Sequence, residues 1–121
     1  MEQTIGKALM VVFMEPVEGT EQEFNDWYNR HHVPERVSVP GILNGRRYEL
    51  SNGDEAPKYL AIYELENEAV LQSDAYLKNV RDSTPMNFPR PKVQRLVYRQ
   101  VFPESGAFDD KTGFPASKPI G

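Results

Sequence analysis

Residues 8–14 are apolar at every position, and this run limits the possible folds more than any other feature of the sequence. It is rich in aliphatic side chains and is closed by Glu15 and Pro16, which is typical of a β-strand. A strand without alternating polar residues is buried on both faces, so the sheet that contains it must be covered on both sides. Seven residues are too few for a membrane-spanning helix, and no membrane association is expected.

Four strand patterns and two helix patterns follow one another in the order β-α-β-β-α-β. The strands are predicted at residues 7–14, 42–50, 59–65 and 93–102. The first helix is predicted to begin at the capping residue Thr20 and to end at Pro34. Pro34 can also open a second short turn, which Pro40 and Gly41 would close. The second is predicted at residues 67–80, with a break at Ser73. This order predicts an α+β, ferredoxin-like βαββαβ fold, with both helices on one face of a four-stranded antiparallel sheet.

Two helices cover only one face of such a sheet, whereas strands 8–14 and 59–65 are apolar or aromatic on both faces. A second copy of the same chain is the simplest cover for the other face. The sequence therefore predicts a homodimer in which two sheets face each other and close into a dimeric α/β barrel. Residues 1–102 are predicted to form this domain, and residues 103–121 a C-terminal extension that packs on the domain or on the partner subunit. The apolar residues of the extension are Phe108, Phe114 and Ile120.

The composition excludes several classes of function. The chain has 121 residues, the size of one domain, and carries 14 basic against 18 acidic residues, for a net charge of −4. Nucleic-acid binding is not expected, because phosphate recognition needs a concentrated positive surface. The absence of cysteine excludes disulfides, thiolate metal sites and cysteine nucleophiles. No signal-peptide pattern is recognised, so a cytoplasmic protein is expected.

Both histidines of the chain, His31 and His32, lie in the segment 27–36 near the predicted end of the first helix. The negative end of the helix dipole is expected to favour the charged imidazolium there. Adjacent helical residues point about 100° apart, so the two rings do not form a paired metal site. Glu35 as a third ligand gives only a weakly specific pattern, and no metal is expected. A capping role in the last helical turn is the structural alternative.

The second predicted strand carries an arginine on each of its faces. Arg46 and Tyr48 share one face, and Arg47 takes the other. An arginine that faces an enclosed interior is an anchor for a carboxylate, enolate or phenolate, whereas a solvated one pairs with Glu49 or Glu64. Three further tyrosines are either hydroxyl donors that line a cavity or amphipathic core residues, namely Tyr59, Tyr63 and Tyr98.

Several spaced motifs lie between residues 8 and 80. They are F-N-D-W-Y-N-R-H-H-V-P-E-R at 24–36, V-P-G at 39–41, R-R-Y at 46–48 and P-K-Y-L-A-I-Y at 57–63. Together they resemble the EthD-like branch of the dimeric α/β-barrel superfamily. The family pattern falls on Trp27, Tyr28, His32, Pro34 and Glu35, and His31 departs from it. The resemblance implies a homodimer with a pocket between the sheet and the helices of each protomer. Haem-binding branches usually place the ligating histidine elsewhere, so no cofactor is expected.

The superfamily contains enzymes of several reaction types and proteins without known activity, so the fold does not choose among functions. We expect a small cofactor-independent enzyme that isomerises, cyclises or cleaves an aromatic, lactone or polyketide-like intermediate by acid–base chemistry. His32 is the predicted proton carrier and Tyr28 its predicted catalytic partner, and the oxyanion is expected to be bound by Tyr28, Arg46 or a strand tyrosine. The residues predicted to bind a small hydrophobic or aromatic substrate are Trp27, His31, Arg46, Tyr48, Tyr59 and Tyr63. The alternative is a non-catalytic, small-molecule-binding or stress-associated accessory protein of a degradation pathway.

Overall fold

The computed structural model of the protein describes residues 7–109. The four strands are β1 (Ala8–Glu15), β2 (Ile42–Glu49), β3 (Tyr59–Leu65) and β4 (Lys92–Arg99). They form one sheet in the order β2-β3-β1-β4, and every neighbouring pair is antiparallel. This strand order and the helices between the strands confirm the ferredoxin-like βαββαβ prediction.

The helical layer consists of two segments. The first contains α1 (Glu21–Trp27), a π-helical turn (Tyr28–His32) and α2 (Val33–Val37). The second contains a 3₁₀-helix (Glu68–Gln72) and α3 (Asp74–Arg81). The predicted break at Ser73 is confirmed, because its hydroxyl accepts a hydrogen bond from the backbone N–H of Tyr76 and begins α3. Among the described residues, no helix is long and apolar enough to cross a membrane.

The helical segment does not end at Pro34 but continues as far as Val37, and the second short turn that the sequence allowed from Pro34 is present as α2. The backbone N–H of Val33 donates to the carbonyl of Tyr28, five residues earlier, which defines the wider π-helical turn. Pro34 then occupies the first turn of α2, where its missing N–H costs little. Single π-helical turns within helices are rare and frequently occur at functional sites.

The two faces of the sheet differ in how they are covered. One face, here called the covered face, packs against the helices. Its residues on the two central strands are fully buried, namely Ala8, Met10, Val12, Met14, Tyr59, Ala61, Tyr63 and Leu65. The alternate residues point to the other face, here called the open face. Its apolar residues are mostly half-buried and include Leu9, Val11, Phe13, Leu60, Ile62 and Leu96.

The last strand is shorter than predicted, because β4 ends at Arg99 and not at Phe102. The Gln100 side-chain amide donates to the backbone carbonyls of Pro103 (2.6 Å) and Gly106 (2.9 Å), and these bonds turn the chain away from the sheet. The rings of Phe102 and Phe108 pack with their centres 5.9 Å apart. Phe114 and Ile120 lie outside the described residues, so the packing of the extension on the domain or the partner subunit remains a prediction.

Candidate functional site

Three aromatic side chains of the π-helical turn and its flank form a stack on the covered side. The His32 ring lies 4.7 Å from the Trp27 ring at 29° and 4.7 Å from the Tyr28 ring at 61°, measured between ring centres. Trp27 and Tyr28 are buried, and the indole N–H donates to the carbonyl of Pro85 at 3.2 Å. The structure therefore brings together three of the residues predicted for the site.

His32 is held as a neutral imidazole. The pKa of His32 is lowered to about 4. Burial is the main cause, the positive charge of Arg36 also lowers the pKa, and Glu35 partly opposes the shift. Its Nδ1 atom is buried and has no hydrogen-bond partner within residues 7–109. The predicted preference for the charged form is therefore wrong, because the helix continues past His32 and burial outweighs any dipole effect.

His31 does not join this stack. It is exposed and lines a separate groove of about 310 Å³ together with Trp27, Arg30 and Phe88. Within residues 7–109, no group of three histidine, aspartate or glutamate side chains is arranged to hold a metal ion. The two adjacent histidines thus occupy different environments, one inside the helical layer and one on its surface.

Arg47, and not Arg46, is the arginine at the covered side. Its guanidinium carbon lies 5.3 Å, 5.1 Å and 5.2 Å from the ring centres of Phe24, Tyr28 and Tyr59. The guanidinium donates to the amide oxygens of Asn25 and Asn29, both at 2.8 Å. Burial lowers its pKa, while the nearby tyrosines oppose the shift. At neutral pH the group remains charged, since arginine does not lose its proton in proteins.

Arg46 and Tyr48 project from the open face, so the structure does not bring them to His32. Arg46 lies 3.9 Å from the carboxylate of Glu64 and is half-exposed, which matches the solvated alternative considered for a strand arginine. Tyr48 pairs with Leu60 across the strands and is also exposed. The alternation of the strand assigned Arg46 and Arg47 to opposite faces correctly, but it carried no signal for which face the helices cover.

The two predicted tyrosines of β3 both lie on the covered face, in different settings. The Tyr59 hydroxyl donates to the Glu21 carboxylate and accepts from the Asn25 amide at 3.2 Å, at the rim of the layer. Tyr63 is 1% exposed, and its hydroxyl has no hydrogen-bond partner within residues 7–109. Burial strongly raises the pKa of Tyr63, so its hydroxyl stays protonated.

A buried arginine of α2 was not expected from the sequence. Arg36 is 8% exposed, and its Nη1 donates to Asn79 Oδ1 at 2.8 Å and to Ser83 Oγ at 2.9 Å. The neighbouring Glu35 carboxylate accepts from the N–H and the hydroxyl of Thr84. These bonds attach α2 to the end of α3, and they place the positive charge that disfavours protonation of His32.

We define the covered-face cluster as Trp27, Tyr28, His32, Arg47 and Tyr63. Tyr28 connects its members, because His32 and Arg47 both lie against its ring. Next to the cluster, a groove of about 510 Å³ runs between α2 and β2. Its lining residues are Asn29, Val33, Pro34, Val37, Leu43, Asn44, Gly45, Arg46 and Arg47. Of the cluster, Arg47 lines this groove, which is large enough for a small ligand, while the neutral imidazole and the tyrosine hydroxyls do not line it.

Comparison with known proteins identifies the fold. No protein-family model matches the chain, and no curated protein matches it in sequence. An ethyl tert-butyl ether D (EthD) family protein from Bacillus halodurans has a similar structure, with a TM-score of 0.56 and 11% identity over 78% of this chain and 99% of the other. The haem-degrading protein MhuD from Mycobacterium tuberculosis, solved with two haems bound in its active site, gives a TM-score of 0.59 and 17% identity over 78% and 96%.

A third similar structure is SnoaB from Streptomyces nogalater, described as a cofactor-independent oxygenase. It gives a TM-score of 0.51 and 19% identity over 81% of this chain and 98% of the other. At sequence identities this low, the structural similarity establishes the fold and leaves the activity open. The fold implied by the sequence motifs is confirmed: the chain has the ferredoxin-like α+β fold of the EthD and SnoaB structures.

Proposed function

We propose that the protein is a small cofactor-independent enzyme that transfers a proton within an aromatic, lactone or polyketide-like substrate, with the covered-face cluster as its active site. The observation that carries this proposal is the half-buried, neutral His32, with its Nδ1 buried and unpaired, beside Tyr28, whose ring also contacts the Arg47 guanidinium. A neutral base near a fixed positive charge is the arrangement that proton abstraction with oxyanion stabilisation needs.

His32 supplies the base in this proposal. The proposal assigns the proton of the neutral ring to the buried, unpaired Nδ1 and leaves Nε2 to act on the substrate. Nε2 takes a proton from a carbon next to a carbonyl, and the electron pair of that C–H bond moves onto the carbonyl oxygen. The imidazolium then returns the proton to a different carbon, which completes an isomerisation. A nearby oxyanion favours the imidazolium, which offsets the low pKa of the free His32.

Arg47 and Tyr28 supply the stabilisation of the oxyanion. Burial raises the pKa of Tyr28 while the charges of Arg47 and Arg36 lower it, and the net shift is upward. The hydroxyl therefore stays protonated at neutral pH and is available as a donor. Arg47 is already positioned by Asn25 and Asn29, so little reorganisation is needed when the negative charge forms.

The active form in this proposal is a homodimer. The apolar residues of the open face remain accessible in the single chain, and Arg46 and Tyr48 border them. Two open faces packed against each other would bury these residues and close the predicted barrel. Each protomer then keeps its own covered-face cluster, and no residue of the cluster depends on the partner.

The test measures exchange of substrate hydrogen for deuterium in D₂O by NMR, with a panel of enolisable aromatic ketones and lactones that includes 2-tetralone. The wild type is expected to accelerate exchange for at least one member. His32→Gln should lower that exchange rate by roughly 10²–10⁴-fold, the usual contribution of a general base. The matched control His31→Gln should retain it, because His31 is exposed and outside the cluster.

Three results would overturn the proposal. The first is no acceleration with any member of the panel. The second is equal exchange by the wild type and the His32→Gln variant. The third is an equal loss in the His31→Gln and His32→Gln variants while both remain folded by circular dichroism. The first result, combined with tight binding of the same compounds, would favour the non-catalytic binding protein.

A further inference from the structure

The groove between α2 and β2 differs in charge from the other grooves described on residues 7–109. Each of the four others has at least one carboxylate in its lining, including Glu35, Glu49, Glu23 and Glu15. The α2–β2 groove is lined by Arg46 and Arg47 and by no acidic residue. The Glu64 carboxylate, 3.9 Å away, offsets the charge of Arg46, so Arg47 is the charge that can attract an anion to this groove.

Unpaired polar atoms surround the glycine of this groove. Asn44 Oδ1 and Arg47 Nε are buried and have no hydrogen-bond partner within residues 7–109, while Asn44 Nδ2 donates to the Glu64 carboxylate at 2.8 Å. The third such group is the hydroxyl of Tyr63, whose ring lies directly behind Gly45: a Cβ added there would be 3.0 Å from that ring. Buried polar groups are nearly always paired in native proteins, so a concentration of exceptions indicates a place where a ligand supplies the partners.

Arg47 is the group best prepared for an anion. Both acceptors of its guanidinium are neutral amides, and within residues 7–109 no carboxylate lies in ion-pair distance of it. A charged acceptor binds more strongly to a partly buried guanidinium with neutral partners than to an exposed guanidinium. The remaining lining of the groove is largely apolar, through Val33, Pro34, Val37 and Leu43.

From this geometry we propose that the α2–β2 groove binds a small aromatic or alicyclic anion, a carboxylate or acidic phenolate, with its charge on Arg47 and its apolar body against α2 and Leu43. The inference rests on the proposed function, since it names the ligand class of the same site. A volume of about 510 Å³ suits a ligand of one or two fused rings.

The experiment compares 2-naphthoate with its neutral counterpart 2-naphthamide by isothermal titration calorimetry on the full chain. The wild type should bind 2-naphthoate at least tenfold more tightly than the amide. Arg47→Gln should raise the Kd for 2-naphthoate roughly 10- to 100-fold, as expected for loss of a charged hydrogen bond, and leave the amide unchanged. Arg81→Gln, which removes an equal charge from the exposed end of α3, should bind both probes as the wild type does.

A second variant keeps the proposal testable if Arg47→Gln is poorly folded, because Arg47 also packs against three rings. Leu43→Glu adds a carboxylate to the groove at a position that is 44% exposed. It should weaken 2-naphthoate binding by at least tenfold. The matched control is Leu77→Glu, at a 55% exposed position on α3 outside the groove, and it should have no effect.

Equal affinity of the wild type for both probes, no binding of 2-naphthoate at millimolar concentration, or unchanged affinity in Arg47→Gln and Leu43→Glu would overturn the inference. The His32→Gln variant separates this inference from the proposed function, because it should keep 2-naphthoate binding while losing deuterium exchange. If His32→Gln keeps exchange and the charge dependence holds, the anion groove stands and the proposed proton carrier is wrong. If His32→Gln loses exchange and the charge dependence of binding fails, His32 stands as the proton carrier and the anion groove is wrong.

Discussion

Arg47 on the covered face lies against three aromatic rings and two amides, whereas Arg46, one residue earlier, projects from the open face toward Glu64. The two side chains are chemically identical and belong to the same strand, β2. Their difference arises entirely from the helical layer, which removes one face of the sheet from water and leaves the other accessible. Burial fixes the position of Arg47 and strengthens its electrostatic effect, while solvent screens Arg46.

The tyrosines show the same contrast between the faces. Tyr63 on the covered face is 1% exposed with an unpaired hydroxyl, and Tyr48 on the open face is 46% exposed. A proton-transfer site needs groups that are desolvated and fixed, which only the covered face provides in the single chain. The open face has the half-buried apolar surface that suits association of two chains. We therefore propose that the covered face carries the ligand chemistry and the open face the association of two chains.

The largest expected effect on stability comes from removing a ring on the covered side. Phe24 is fully buried and contacts Tyr28 and Tyr59, with ring centres 5.0 Å and 5.3 Å away. Phe24→Ala should lower the free energy of unfolding by about 3–5 kcal/mol, measured by urea denaturation. Phe13→Ala, on the half-buried open face, should lower the free energy of unfolding by clearly less at concentrations where the protein is monomeric. Equal losses would contradict the distinction between the faces.

A second prediction uses the pH dependence of stability. The folded pKa of His32 is about 4, against an ordinary value of 6.5, so the folded state binds fewer protons than the unfolded state between these values. The contribution of His32 to the free energy of unfolding is complete above pH 6.5 and is lost as the pH falls toward 4. It amounts to about 3 kcal/mol, since one pKa unit is worth about 1.4 kcal/mol.

The measurement for this second prediction is the difference in unfolding free energy between the wild type and His32→Gln from pH 7 to pH 4. The wild type should lose about 3 kcal/mol more than the variant over this range. The subtraction removes the contribution of carboxylates that also titrate there, such as Glu35. Parallel pH curves for the two proteins would contradict the buried, neutral histidine.

The third prediction tests the open face. Ile62 lies at its centre, paired with Val11 and Arg46 on the neighbouring strands. Sedimentation equilibrium at micromolar concentration should give about twice the 13.9 kDa mass of the chain for the wild type and about one mass for Ile62→Lys. The matched control Leu77→Lys, on the exposed side of α3, should stay dimeric. A monomeric wild type would contradict the barrel.

The order and nearly all the bounds of the elements could be predicted from the sequence, because hydrophobic periodicity and turn residues act locally. Residues 59–65 were predicted as a strand and form β3 with the same bounds, and Ser73 separates two helical pieces as expected. Pro34 left two alternatives open, because a proline in the first turn of a helix and a proline after its end give the same local signal, and the structure has it in the first turn of α2.

The site could be predicted only in part, because its energetics depend on tertiary burial. Trp27, Tyr28 and His32 were found through the helical spacing and the motif around them. The choice between Arg46 and Arg47 depends on which face the helices cover, which a strand of period two does not reveal. The downward shift of the His32 pKa comes first from its burial and then from the charge of Arg36, which is held by Asn79 and Ser83 more than 40 positions away.

The central claim is that the covered face holds His32 as a neutral base at physiological pH. The most direct measurement is a pH titration of the imidazole ¹⁵N resonances of His32 by NMR, in a His31→Gln variant that leaves one histidine in the chain. The predicted result is a neutral ring at pH 7 that takes up its proton with a pKa of about 4. A pKa at or above 6.5 would show a charged or solvated helix-end histidine and would contradict the account.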